Sequence, residues 1–98
     1  MFIKEHLREQ LIKAFSAQSE VLRVTLFGSR ARGDADERSD IDLAIEAPQL
    51  NQRQWLELLI SLEQIDTLLS MDVIRWEEAP PELKKKITQE GKVLYERI

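Results

Sequence analysis

Ninety-eight residues suit a single domain, 1–98, with a modest core, and 43% hydrophobic against 33% charged residues describes a folded globule and not a disordered tail. The absence of cysteine and the single histidine, His6, exclude disulfides, thiolate zinc sites and histidine-based metal clusters. A formal net charge of −4 argues against a protein whose main task is gripping nucleic acid, and neither a signal peptide nor an apolar run of membrane-spanning length is present, so a cytoplasmic protein without membrane or direct nucleic-acid partners is expected.

Ile3, Leu7, Leu11, Ala14 and Phe15 recur at helical spacing among charged residues, which predicts an amphipathic helix over 3–17 with His6 on its surface. Ser16 to Ser19 break that period. A first strand is expected over Val21 to Phe27, with Leu22, Val24 and Leu26 on one face and Arg23, Thr25 and Phe27 on the other. Gly28 and Ser29 follow. A glycine allows a phosphate to approach the backbone closely, the serine adds a hydroxyl donor, and a short helical turn starting at Ser29 and ending at Gly33 would aim free N–H groups at the same place.

Asp34 to Ser39 reads as a charged, mobile loop. In the next run Ile41, Leu43 and Ile45 share one parity while Asp40, Asp42, Ala44 and Glu46 share the other, the pattern of a strand with one face on a core. Asp40 and Asp42 then project side by side, about 6.5 to 7 Å apart at Cα. Carboxylates at that spacing repel unless a cation intervenes, and oxygen ligation suits magnesium or manganese. An Asp-x-Asp by itself is more often an exposed pair at a strand end; its pairing with the upstream Gly28-Ser29 is what favours a site. Arg23, Arg30, Arg32 and Arg38 are expected near this cradle, where they would suit a triphosphate.

Pro48 ends regular pairing, and Asn51 is placed to cap a long helix running to about Leu69. Its stripe of Trp55, Leu58, Leu59, Leu62, Ile65 and Leu69, widened by Leu56, Ile60 and Leu68, exceeds what one small sheet face needs; the surplus is either simple burial or a partner surface. Ser70 to Trp76 reads as a third strand carrying Asp72, Ile74 and Trp76 on one side. Beside the Asp40–Glu46 strand, Asp72 would complete a three-carboxylate cluster; at an open edge it would simply face water. Asp66 is a rival on the preceding helix. Pro81 suits the first turn of a short helix that Gly91 ends, with Lys84, Lys85 and Lys86 on its solvated face, and Val93, Leu94 and Tyr95 form a brief strand in which Tyr95 packs.

Gly28-Ser29-Arg30-Ala31-Arg32-Gly33 followed by Ser39-Asp40-Ile41-Asp42-Leu43 resembles the signature of the DNA polymerase beta nucleotidyltransferase superfamily, and most closely its minimal nucleotidyltransferase branch, many of whose members are antitoxins encoded beside a helical HEPN protein. The resemblance covers most of the chain. It implies an α/β (α+β) fold, a small mixed sheet flanked by helices, and transfer of AMP from ATP to a hydroxyl. It further implies two divalent ions, Mg2+ with Mn2+ as the alternative, held by Asp40, Asp42 and Asp72, and a triphosphate held by Gly28 and Ser29 with aid from Arg30 or Arg32. Since no stretch remains to grip an acceptor, a HEPN-type partner in a hetero-oligomer is expected, with a tyrosine hydroxyl as the favoured target. Two other readings stand beside it: a noncatalytic subunit that neutralises its partner by contact, and an enzyme acting on a small-molecule acceptor.

Overall fold

The computed structural model describes residues 3–33 and 39–97. Helix α1 (Glu5–Ser16) leads into strand β1 (Arg23–Phe27), the short helix α2 (Ser29–Arg32), strand β2 (Ile41–Glu46) and helix α3 (Gln52–Glu63). Strand β3 (Met71–Arg75), a 3-10 turn at Trp76–Glu78, helix α4 (Pro81–Glu90) and strand β4 (Lys92–Glu96) complete the order. The four strands form one sheet in the order β3-β2-β1-β4. β1 pairs antiparallel with β2 and β4, and β2 pairs parallel with β3, so the sheet is mixed as expected.

The core lies on the face bearing Val24, Leu26, Ile41, Leu43 and Ile45, covered by Leu7, Leu11 and Phe15 of α1 and Leu58 and Leu62 of α3. Burying a large aliphatic side chain contributes about 1.5–3 kcal/mol. A one-residue slip of β2 would put Asp42, Ala44 and Glu46 where three fully buried aliphatics now sit, so the core itself fixes which face Asp42 occupies. The opposite face is not left to water: α4 crosses it, Ile87 is buried there, and Ala44 is buried as well.

Several boundaries differ from the sequence reading. β1 starts at Arg23, not Val21, and its alternation breaks before it: Val21 is buried while Leu22 is 43% exposed. A turn closed by the Val21 N–H donating to the Gln18 carbonyl brings the chain in at that angle. α3 begins as expected, with Asn51 and Gln54 forming a reciprocal capping box (2.8 and 2.9 Å), but it ends at Glu63 instead of running to Leu69. Ile65 and Leu69 still pack against the core from the connection that follows, so burial alone mimicked another turn and a half of helix. Asp66 therefore lies in that connection and not on a helix. Trp76 belongs to the 3-10 turn rather than to the strand. Gly91 does end α4, yet with φ −72° and ψ 156° it is extended, not left-handed; a Cβ there would collide with the Ile87 carbonyl and the Thr25 side chain, so close packing of α4 on β1 explains it.

Two arginines that tie segments together were not singled out from sequence. Arg75, at the end of β3, donates through Nη2 to the carbonyls of Ala47 (2.9 Å) and Leu50 (2.8 Å) and lies over the Trp55 ring. Arg97 donates to the carbonyls of Ser16, Gln18 and Val21, tying the chain after β4 to the turn before β1. His6 is exposed, and Tyr95 packs against Phe15, as expected.

Candidate active site

The site forms where β1 ends and β2 and β3 begin. The core-fixed parity of β2 places Asp42 opposite Phe27 of β1 and opposite Asp72 of β3, so the two aspartates are lateral neighbours across the parallel ladder. β3 is thus adjacent to the Asp42 strand, as the three-carboxylate reading required, and it is also the outer strand of the sheet with Asp72 exposed.

Gly28 turns the chain from β1 into α2 at φ 75° and ψ −157°, a conformation essentially restricted to glycine. A Cβ on Gly28 would run into Oδ2 of Asp42. The Asp42 carboxylate therefore lies directly against the bare backbone of the turn, which joins the two halves of the motif into one surface. α2 is a single turn, closed by the Arg32 N–H on the Gly28 carbonyl (3.1 Å) and the Gly33 N–H on the Ser29 carbonyl (3.0 Å), with Gly33 left-handed at φ 84°. Ser29, partly buried, starts that turn next to Gly28.

The arginines divide. Nε of Arg30 donates to the Ser39 carbonyl (2.9 Å), anchoring the chain just before Asp40. Arg32 pairs with Glu90 at the end of α4 (3.3 Å), and its positive field reaches Asp42. Arg23 is not near the cradle: it sits at the far end of β1, paired with Glu96 (2.8 Å) and Glu46 (3.8 Å), because β1 spans its full length between Arg23 and Gly28. Arg38 and the rest of the expected loop at 34–38 lie outside the described residues.

Burial raises the Asp42 carboxyl above its ordinary range, the negative charges of Asp72 and Asp40 raise it further, and Arg32 opposes them. Asp42 thus feels both neighbouring charges, yet the three carboxylates do not close into a cage: among the described residues no three acidic or histidine side chains are already arranged to hold a metal ion. Asp40 and Asp72 are exposed to water. As donors the three fit a hard divalent cation, since all are carboxylate oxygens, Asp42 and Asp72 come from adjacent strands with Asp40 just before β2, and the charge that raises the Asp42 pKa is what such an ion neutralises.

A family model described as polymerase beta, nucleotidyltransferase matches residues 9–98. The chain belongs to that family. It is accordingly a nucleotidyltransferase. A Methanocaldococcus jannaschii protein named as a putative protein adenylyltransferase is 37% identical to it over 71 residues, 72% of this chain and 70% of the relative. Among solved structures, a chain in a toxin–antitoxin crystal structure with AMP-PNP superimposes with a TM-score of 0.73 at 26% identity, covering 92% of this chain and 73% of that one. The complex of a tri-AMPylated Shewanella oneidensis HEPN toxin with its MNT antitoxin gives a TM-score of 0.69 at 21% identity over 97% and 74%, a likeness of fold. The nucleotidyltransferase fold expected from Gly28-Ser29 and Asp40-Ile41-Asp42 is that of these neighbours.

Proposed function

We propose that this nucleotidyltransferase transfers AMP from ATP to a tyrosine hydroxyl of a helical HEPN-type toxin and acts as its antitoxin in a hetero-oligomer. The observation that carries the reading is the junction of Gly28 with Asp42 and of Asp42 with Asp72: an open backbone turn on one side of a carboxylate and a second carboxylate on the other. Gly28 and Ser29 hold the β- and γ-phosphates, for which the turn offers bare backbone and a hydroxyl. Arg32 supplies positive charge beside Asp42, while Arg30 acts by holding the chain that carries Asp40.

Transfer requires the acceptor oxygen to attack the α-phosphorus as the bond from that phosphorus to the bridging oxygen breaks. Pyrophosphate leaves, and the hydroxyl proton passes to a base. Asp72, exposed at the outer strand, is the carboxylate an incoming hydroxyl meets first and is assigned that proton. Asp40, Asp42 and Asp72 would hold divalent magnesium, or manganese in its place; when bound, such ions stabilise charge developing on the phosphorus-bound oxygens and favour the ionised acceptor. The chain's own contribution is position: the core sets β2, β2 sets Asp42, and the β2–β3 ladder sets Asp72 beside it.

The exposed Leu56 (50%), Ile60 (55%) and Leu68 (105%) also favour a protein partner, and they keep a contact-only antitoxin in view. The deciding experiment coexpresses the chain with a HEPN protein from its own genome and follows label from α-phosphate-labelled ATP. Label on a partner tyrosine, lost in Asp42→Asn together with relief of toxicity, supports the enzyme. Relief of toxicity that survives Asp42→Asn replaces it with the contact-only reading.

A further inference from the structure

A groove with a cavity of about 440 Å³ runs between the end of α3 and β3. Leu59 and Leu62 of α3, Leu69 of the connection, and Met71 and Val73 of β3 give it an apolar lining, and Asp72 lies in its wall. The groove is therefore continuous with the candidate active site through one residue. β3 alternates: Met71 and Val73 belong to the groove side, while Asp72, between them, shares its ladder position with Asp42. β3 is also the outer strand, and among the described residues no strand pairs with its free side. An unpaired edge of this kind is a template for another extended chain.

We infer that the acceptor hydroxyl is delivered by an extended segment of the partner polypeptide that adds to the free edge of β3. This rests on the AMP-transfer reading above and specifies how its acceptor is held. An added strand sends alternate side chains to opposite faces, so when one residue presents its hydroxyl at Asp42 and Asp72, its immediate neighbours point into the groove. The segment therefore carries a hydroxyl residue flanked by large apolar residues. Glu63 in the groove wall and exposed Asp66 beside it have no basic partner among the described residues, which selects a segment that also bears a lysine or arginine toward that end. A compact small-molecule acceptor would use neither the alternation nor the groove.

The test offers the full chain, with Mg2+ and labelled ATP, two sets of synthetic tyrosine peptides: one with leucine at both neighbouring positions, the other with glutamate there. The leucine-flanked peptide is expected to be labelled at least about tenfold faster, the scale of discrimination one apolar pocket provides. Leu59→Asn and Leu59→Glu, at a groove position outside both the transfer machinery and the core cluster, should each erase that preference while Mg2+-dependent ATP binding and the thermal transition persist. Equal labelling of the two peptide sets, a preference unchanged in both variants, or faster labelling of a small polyhydroxylic compound than of any peptide overturns the inference. If the wild-type chain labels neither peptides nor a copurified partner, the transfer reading fails separately. Docking is then read by amide exchange: slowed exchange across residues 71–75 with the leucine-flanked peptide alone supports the β3 edge, and unchanged exchange overturns it.

Discussion

The carboxylate of Asp42 occupies the space that a side chain on Gly28 would need. That contact makes Gly28 indispensable for two independent reasons, its φ of 75° and its nearness to Oδ2 of Asp42. Gly28→Ala should lower stability by about 1–3 kcal/mol, the usual cost of holding a side chain in such a conformation. It should also reduce metal-dependent ATP binding, because Asp42 has to move. Chemical denaturation and calorimetry measure the two effects. An alanine variant as stable and as competent as the parent would contradict the packing described.

Asp42 gives a pH dependence with a definite sign. Its folded-state pKa is raised, so over the window between the unfolded and folded values the native state binds more protons than the unfolded chain. In the absence of metal, this group's contribution to stability is therefore greatest at acid pH and declines as pH rises through the raised pKa. Asp42→Asn removes that decline: the variant should melt higher than the parent at neutral pH, and the gap should close at acid pH. Its AMP transfer from ATP should fall by roughly 10²–10³-fold, the scale of removing one aligned electrostatic group. Thermal melts across pH and a transfer assay provide the check. A variant that is destabilised at neutral pH yet active would contradict both halves.

The motif was legible because its parts obey short-range rules. The alternation Ile41, Leu43, Ile45 fixes the core face, and Asp42 is on the other face by parity alone. Pairing β2 with β3, which joins Asp42 to Asp72, is a long-range matter; only the awkwardness of Asp72 in an apolar strand, together with the family resemblance, pointed to it. Sequence nearness puts Arg23 beside Gly28, whereas an extended strand carries its two ends apart. The end of α3 was missed because Ile65 and Leu69 remain half-buried after the helix stops, and burial periodicity does not distinguish a helix from a connection lying on the same core.

Arg75 shows what residue-type reasoning leaves out. Nothing in Met-Asp-Val-Ile-Arg marks its last residue, yet it holds two carbonyls of the turn between β2 and α3, while Glu77 accepts from the Ala47 N–H (3.0 Å) on the same turn. Hydrogen bonds involving a charged group contribute about 1.5–3 kcal/mol each, and losing one partner leaves the other desolvated. Arg75→Ala should cost about 3 kcal/mol in denaturant unfolding, and Arg75→Lys less, since an ammonium can reach a carbonyl without keeping the guanidinium's stacking on Trp55. A loss below about 0.5 kcal/mol, the range of ordinary surface changes, would mean that the turn holds itself.

Asp72 and Asp66 are both exposed acidic residues within seven positions of each other, and a composition-level view treats them alike. Their places in the fold do not. Asp72 stands in register with Asp42 and raises its pKa, whereas Asp66 lies in the connection after α3, outside that ladder. Asp72→Asn should abolish AMP transfer while retaining part of the Mg2+-dependent ATP binding, because Asp40 and Asp42 still offer their carboxylates on β2 and its lead-in. It should also lower the Asp42 pKa by removing a neighbouring negative charge, which the pH dependence of melting would register. Asp66→Asn should leave transfer chemistry and melting close to the parent, within the ±0.5 kcal/mol typical of surface substitutions. The two variants are compared under identical conditions by label transfer and by calorimetry with ATP and Mg2+. A dead Asp66→Asn beside an active Asp72→Asn would move the third carboxylate of the site from β3 to the α3–β3 connection.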